Sequence, residues 1–156
     1  MNPRETKQGF TYIELIIVVL VVSIMAAYIA ARVGTTTSQS VEGLANMIRS
    51  DIRRMQGLVM KENTTLEIQF GSTQYTAKKG GSDYTDGHFP MNFASFPEFS
   101  DIKIDPEVAL RFNSRGRPID GAGNVLFSNV EIHLCVKRIV QKTITIIANT
   151  GHVEIH

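Results

Sequence analysis

Residues 15–31, LIIVVLVVSIMAAYIAA, contain no charged residue, no proline and no glycine, and residues 10–13 carry the apolar character further toward the amino terminus. In a helix rising about 1.5 Å per residue, about 20 such residues cross a hydrocarbon core of about 30 Å. A helix that is apolar on every side is covered either by lipid or by the centre of a large protein. A chain of 156 residues has no room for the second arrangement, so the segment is expected to span a membrane. Ahead of it lies the polar stretch MNPRETKQG, where Arg4 and Lys7 outweigh Glu5. That balance favours a cytoplasmic amino terminus, with the rest of the chain on the far side.

Ala26, Ala27, Ala30 and Ala31 could be read as the small-residue cleavage region of an ordinary secretory signal. Glu14 argues otherwise. It stands just inside the apolar segment, where an ionised carboxylate costs about 2.5–3.5 kcal/mol at full depth and less near the interface. Such a residue either snorkels to the headgroup level alone or is matched by a cation from elsewhere.

Gly9-Phe10-Thr11-Tyr12-Ile13-Glu14-Leu15-Ile16, followed by an uninterrupted apolar helix, resembles the class III signal of type IV pilins and type II secretion pseudopilins. The resemblance implies that a prepilin peptidase cuts after Gly9 on the cytoplasmic side and methylates the new amino terminus at Phe10. Residues 1–9 are then a leader, and the apolar helix is retained. It also implies a role for Glu14, the fifth residue of the mature chain, in pairing with the terminal amine of a neighbouring subunit during assembly. Tyr12 departs from the family, which usually has Leu there, without touching the cleavage residue or the carboxylate.

Beyond Arg32 the hydrophobicity breaks at Gly34 and the threonine run, then apolar residues recur at Val41, Leu44, Ile48, Ile52, Met55 and Val59. Gaps of three and four make one apolar stripe on a helix, expected to lie on a sheet. Gly34 and Thr35, Thr36 and Thr37 lower helix propensity, and a kink or short melted stretch is expected there. The organisation read from these patterns is a leader at 1–9, a transmembrane and assembly half-helix at 10–33, an amphipathic half-helix at 34–62 and a β-rich domain at 63–156.

After Asn63 the pattern alternates. Strands are expected near 65–70 and 73–77, joined as a hairpin at Gly71-Ser72, then near 102–104, 108–112, 125–127, 130–136, 143–148 and 152–155. Gly80-Gly81 is read as opening a long polar and aromatic loop through residues 82–98. The fold class is α+β, one long helix on an antiparallel sheet.

Leu110-Arg111-Phe112-Asn113-Ser114-Arg115-Gly116-Arg117-Pro118, a Gly-rich turn and strands ending at Thr150-Gly151-His152-Val153 resemble the domain shared by H-type minor pseudopilins and FimT/FimU-like minor pilins. The likeness covers about the last fifty residues. Some FimT-like proteins bind DNA through a Gly followed by Arg-rich residues. Here His152 follows Gly151 and Glu154 stands nearby, which argues against DNA as a partner, because phosphate contacts need fixed positive charge.

Basic residues gather at Arg49/Arg53/Arg54, Arg111/Arg115/Arg117 and Lys137/Arg138/Lys142, each a possible phosphate contact or a solvated surface. Lys+Arg total 16 against 15 for Asp+Glu, so the formal net charge of +1 offers no broad steering field. His152, Glu154 and His156 would share one strand face, and Asp83 and Asp86 could offer oxygens to calcium, but exposed strand polarity and a polar turn explain both. Gly121-Ala122-Gly123 lacks the third glycine of a dinucleotide site. The single cysteine, Cys135, is read as sheet packing.

No cofactor and no enzymatic activity are expected. The reading is a minor pseudopilin of type II protein secretion, placed in the bacterial inner membrane with its carboxy-terminal domain periplasmic and then in the pseudopilus tip. Its partners would be other pseudopilins, the prepilin peptidase and secreted cargo. The alternative is a minor pilin of the type IV pilus, serving pilus biogenesis or DNA uptake.

Overall fold

The computed structural model describes residues 11–156, and for residues 30–36 the backbone alone. Helix α1 runs Tyr12–Glu62. The threonine run does not melt it, contrary to expectation: an interior glycine or threonine costs at most about 1 kcal/mol, too little to break a helix whose ladder is supported on both sides. Asn63 ends α1 in the left-handed conformation (φ 49°), and Thr64 N–H donates back to the Val59 carbonyl at 3.3 Å, a common helix terminator. The chain divides into two compact units, to Thr37 and from Ser38.

In the first unit, the side chains of residues 11–29 are all exposed. Tyr12–Ile29 is long and apolar enough to cross a membrane. Within it the Ser23 hydroxyl donates to the Val19 carbonyl at 2.7 Å, which satisfies a polar group that lipid could not.

The second unit carries ten strands: β1 Leu66–Phe70, β2 Gln74–Lys79, β3 Ser82–Tyr84, β4 Met91–Asn92, β5 Ile102–Asp105, β6 Val108–Phe112, β7 Pro118–Ile119, β8 Val130–Val136, β9 Ile139–Ile146 and β10 Val153–Ile155. They form two antiparallel sheets where one was expected, ordered β3-β2-β1-β6-β7, with β4 on β2, and β10-β9-β8-β5. Val41, Leu44, Ile48, Ile52, Met55 and Val59, the stripe read from spacing, are all buried, in one cluster with residues from both sheets. The Lys142 ammonium of β9 lies 3.1 Å from Glu42 of α1 and, by that hydrogen bond, holds the Glu42 carboxyl below its usual range.

Several strand boundaries differ from expectation. Residues 125–127 form no strand; Val125 makes an isolated bridge to Ile119. Strand β9 starts at Ile139 rather than 143, because Lys137 and Arg138 (φ 52° and 67°) turn the chain in two residues. Gly80 and Gly81 close the β2–β3 hairpin with positive φ at both positions, the geometry that fits strand twist. The expected 82–98 loop therefore contains β3 and β4 and sends Phe89 and Phe93 into the core, their rings 6.1 and 6.4 Å from Tyr75.

Candidate functional site

The first turn of α1 begins at Thr11, whose carbonyl accepts the N–H groups of Glu14 and Leu15 at 3.1 and 3.2 Å. Glu14 is exposed in that turn, and among the described residues it has no cation within ion-pairing distance. The positive end of the helix dipole favours a carboxylate there by about 0.3–1 kcal/mol. This is smaller than the several kcal/mol of burying the charge in hydrocarbon, so the dipole does not make Glu14 self-sufficient. Gly9 and Phe10 lie outside the described residues.

The second polar centre was not foreseen. Asp51 of α1 is 5% exposed, yet carries an acidic side chain. The Tyr75 hydroxyl donates to its Oδ2, and His88 Nε2 lies 2.6 Å from Oδ1. Burial, then the neighbouring Asp51 carboxylate, pushes the Tyr75 hydroxyl far above its usual range, so it stays protonated and remains a donor. A signal for this centre was present: Asp51 sits three residues after Ile48, on the apolar stripe, where an unpartnered carboxylate would be costly. Its partners, 24 and 37 residues away, left no local pattern.

Asp86 completes the fastening of this segment to α1. Its Oδ1 accepts the N–H groups of His88 and Phe89 at 3.0 and 3.2 Å, and Arg54 donates to Oδ2 at 2.6 Å. Partial burial pushes the Asp86 carboxyl up, but the two N–H groups, Arg54 and His88 outweigh it, and the net shift is downward. Asp86 thus caps its own turn. With the folded value depressed, Asp86 stabilises the fold fully above the unfolded value of about 3.9 and loses that contribution as pH falls through the lower folded value. Asp86→Asn should accordingly lower the urea midpoint at pH 7 and flatten its fall at acid pH, read by circular dichroism.

The other sequence candidates resolve in place. Arg111 Nε is bonded to Glu67 at 2.5 Å, and Arg49 to Asn46 Oδ1 at 2.6 Å. Asp120 Oδ1 caps the Gly121-Ala122-Gly123 turn, accepting N–H groups of Ala122 and Asn124 at 2.9 Å each, and the Asn124 N–H leads the forces that lower its pKa. His152 and His156 flank Glu154 at 3.9 and 3.6 Å, but among the described residues no three His, Cys, Asp or Glu side chains gather to hold a metal ion. Cys135 is buried beside a β-bulge, and burial followed by Asp105 pushes its thiol up, the direction of an inert, packed cysteine.

Comparison with family models, with curated proteins and with solved structures finds no match for this chain.

Proposed function

We propose that the protein is a non-enzymatic assembly subunit of the pilin-like class, a minor pseudopilin of type II protein secretion. The observation that carries this reading is the two-sided character of α1. Residues 12–29 expose every apolar side chain and hold Glu14 at their start, whereas the later stripe from Val41 to Val59 is buried under a β domain. An exposed apolar surface of that extent is covered by lipid or by other helices. A chain able to exchange one cover for the other is suited to leave a bilayer and enter a helical bundle.

In this mechanism the carboxylate of Glu14 sets the stagger between subunits. An isolated subunit keeps it at the membrane edge without a counter-charge; docking beside the free amine of a neighbour supplies one and removes the cost of burying it alone. The β domain then contacts partner subunits or cargo. The tail bears on the choice of system: Gly151 is followed by His152 and Glu154 rather than by arginines, which favours secretion over DNA uptake.

Glu14→Ala should leave the amount and processing of the protein unchanged and reduce its co-purification with partner subunits at least about tenfold, since an unmatched charge difference of about 1.4 kcal/mol already gives that factor. The partners captured by the unaltered chain identify the system, pseudopilins for secretion and pilins for the pilus. Full co-purification of Glu14→Ala would refute the assembly role.

A further inference from the structure

Of the arginines in the sequence clusters on α1 and in and after β6, Arg49 is bonded to Asn46, Arg54 to Asp86 and Arg111 to Glu67. Arg53 and Arg115, like Arg117, are not so engaged: among the described residues their guanidiniums have no hydrogen-bond or ion-pair partner. The fold brings Arg53 and Arg115 to one cleft of about 370 Å³, lined also by Gln56, Thr150 and His152. Residues distant in sequence thus converge with a single sign of charge. Among the described residues no Asp or Glu lines the cleft; Glu154 lies outside its lining, 3.9 Å from His152 Nε2.

The cleft is built rather than incidental. The Gln56 side-chain amide donates to the carbonyls of Gly116 and Gly151, at 3.1 and 2.7 Å, and so ties the two turns to α1. Gly151 has φ 75°, and a Cβ there would stand 2.5 Å from Gln56 Nε2 and 2.6 Å from the Gly116 carbonyl oxygen. The backbone N–H groups of Gly116 and Gly151 are used within their own turns, so the donors available to a ligand are the side chains of Arg53, Arg115 and His152 and the Thr150 hydroxyl, whose oxygen accepts the His152 N–H. Guanidinium groups present paired N–H donors that match the oxygens of a phosphate.

We propose that this cleft binds one compact oxyanion, a free phosphate or a phosphate monoester. Its volume is at the small end of ligand pockets, and the chain's net charge of +1 supplies no extended field for a long polyanion. A single dianionic group between two guanidiniums and an imidazole is the charge the site can neutralise.

The test uses the full chain in detergent at low ionic strength, followed by amide NMR while inorganic phosphate and, separately, phosphoserine are added. Saturable shifts confined to the Gly116 and Gly151–His152 turns are expected, and the tighter of the two probes names the source of the oxyanion. The double variant Arg53→Gln/Arg115→Gln should weaken binding at least about tenfold, losing two charge-assisted contacts. Lys137→Gln/Arg138→Gln removes the same charge at the β8–β9 turn and should leave affinity unchanged. Shifts that never saturate, or equal weakening in both double variants, would overturn the proposal in favour of general charge screening.

Discussion

Gly151→Ala is expected to destabilise the β domain by about 2–5 kcal/mol, combining a strained left-handed backbone with steric overlap. Both components have a definite origin. At φ 75° an L side chain is disfavoured, and the atoms in its way, Gln56 Nε2 and the Gly116 carbonyl, are held to each other by a hydrogen bond. Relief requires Gln56 to leave, which would also release the Gly151 carbonyl it bonds. Gly57→Ala is the matched control: it meets nothing within 4 Å in the interior of α1 and should stabilise by about 0.5–1 kcal/mol through helix propensity. Denaturation of the full chain followed by circular dichroism reads both, since no tryptophan is present. Equal stability of the two variants would show that the turns are not clamped as described.

Asp51→Ala should cost about 2–4 kcal/mol, because it strands the fully buried Tyr75 hydroxyl and takes the counter-group from His88. Tyr75→Phe should cost less, about 1–3 kcal/mol, leaving the carboxylate one donor short. Together they should be non-additive, since after either change the shared hydrogen bond is already gone. The two residues also fasten the segment that carries Phe89 and Phe93. Asp51→Ala is therefore expected to speed hydrogen exchange through residues 82–98 more than through β8 and β9. Additive free energies, or uniform exchange, would separate the hydrogen bond from the loop.

Where the sequence reading succeeded, the signal was local. The apolar stripe from Val41 to Val59 and the alternation of Leu66, Ile68 and Phe70 were legible because a buried face recurs at the period of its own element. The reading of residues 82–98 as one long loop missed β3 and β4 because both are short, and the two core phenylalanines, Phe89 before β4 and Phe93 just after it, show no periodicity. The tightness of the β8–β9 turn, not the two strands, escaped the sequence reading for a chemical reason: Lys137-Arg138 occupies a turn that normally favours asparagine and glycine, since both central residues take positive φ.

The candidate site divides in the same way. Glu14 was legible because a carboxylate beside an apolar run is anomalous whatever surrounds it, and Asp51 left a fainter version of the same mark. The sequence by itself determined the membrane-length helix, its amphipathic continuation and the α+β class, all properties that water and lipid impose over a few neighbouring residues. Only the tertiary structure decided that there are two sheets, that Tyr75 and His88 answer Asp51, and that Arg53, Arg115 and His152 share a cleft. These depend on contacts such as those of Gln56, made across 60 and 95 residues of chain. Side-chain periodicity records which face of an element is buried, but not which distant element will cover it.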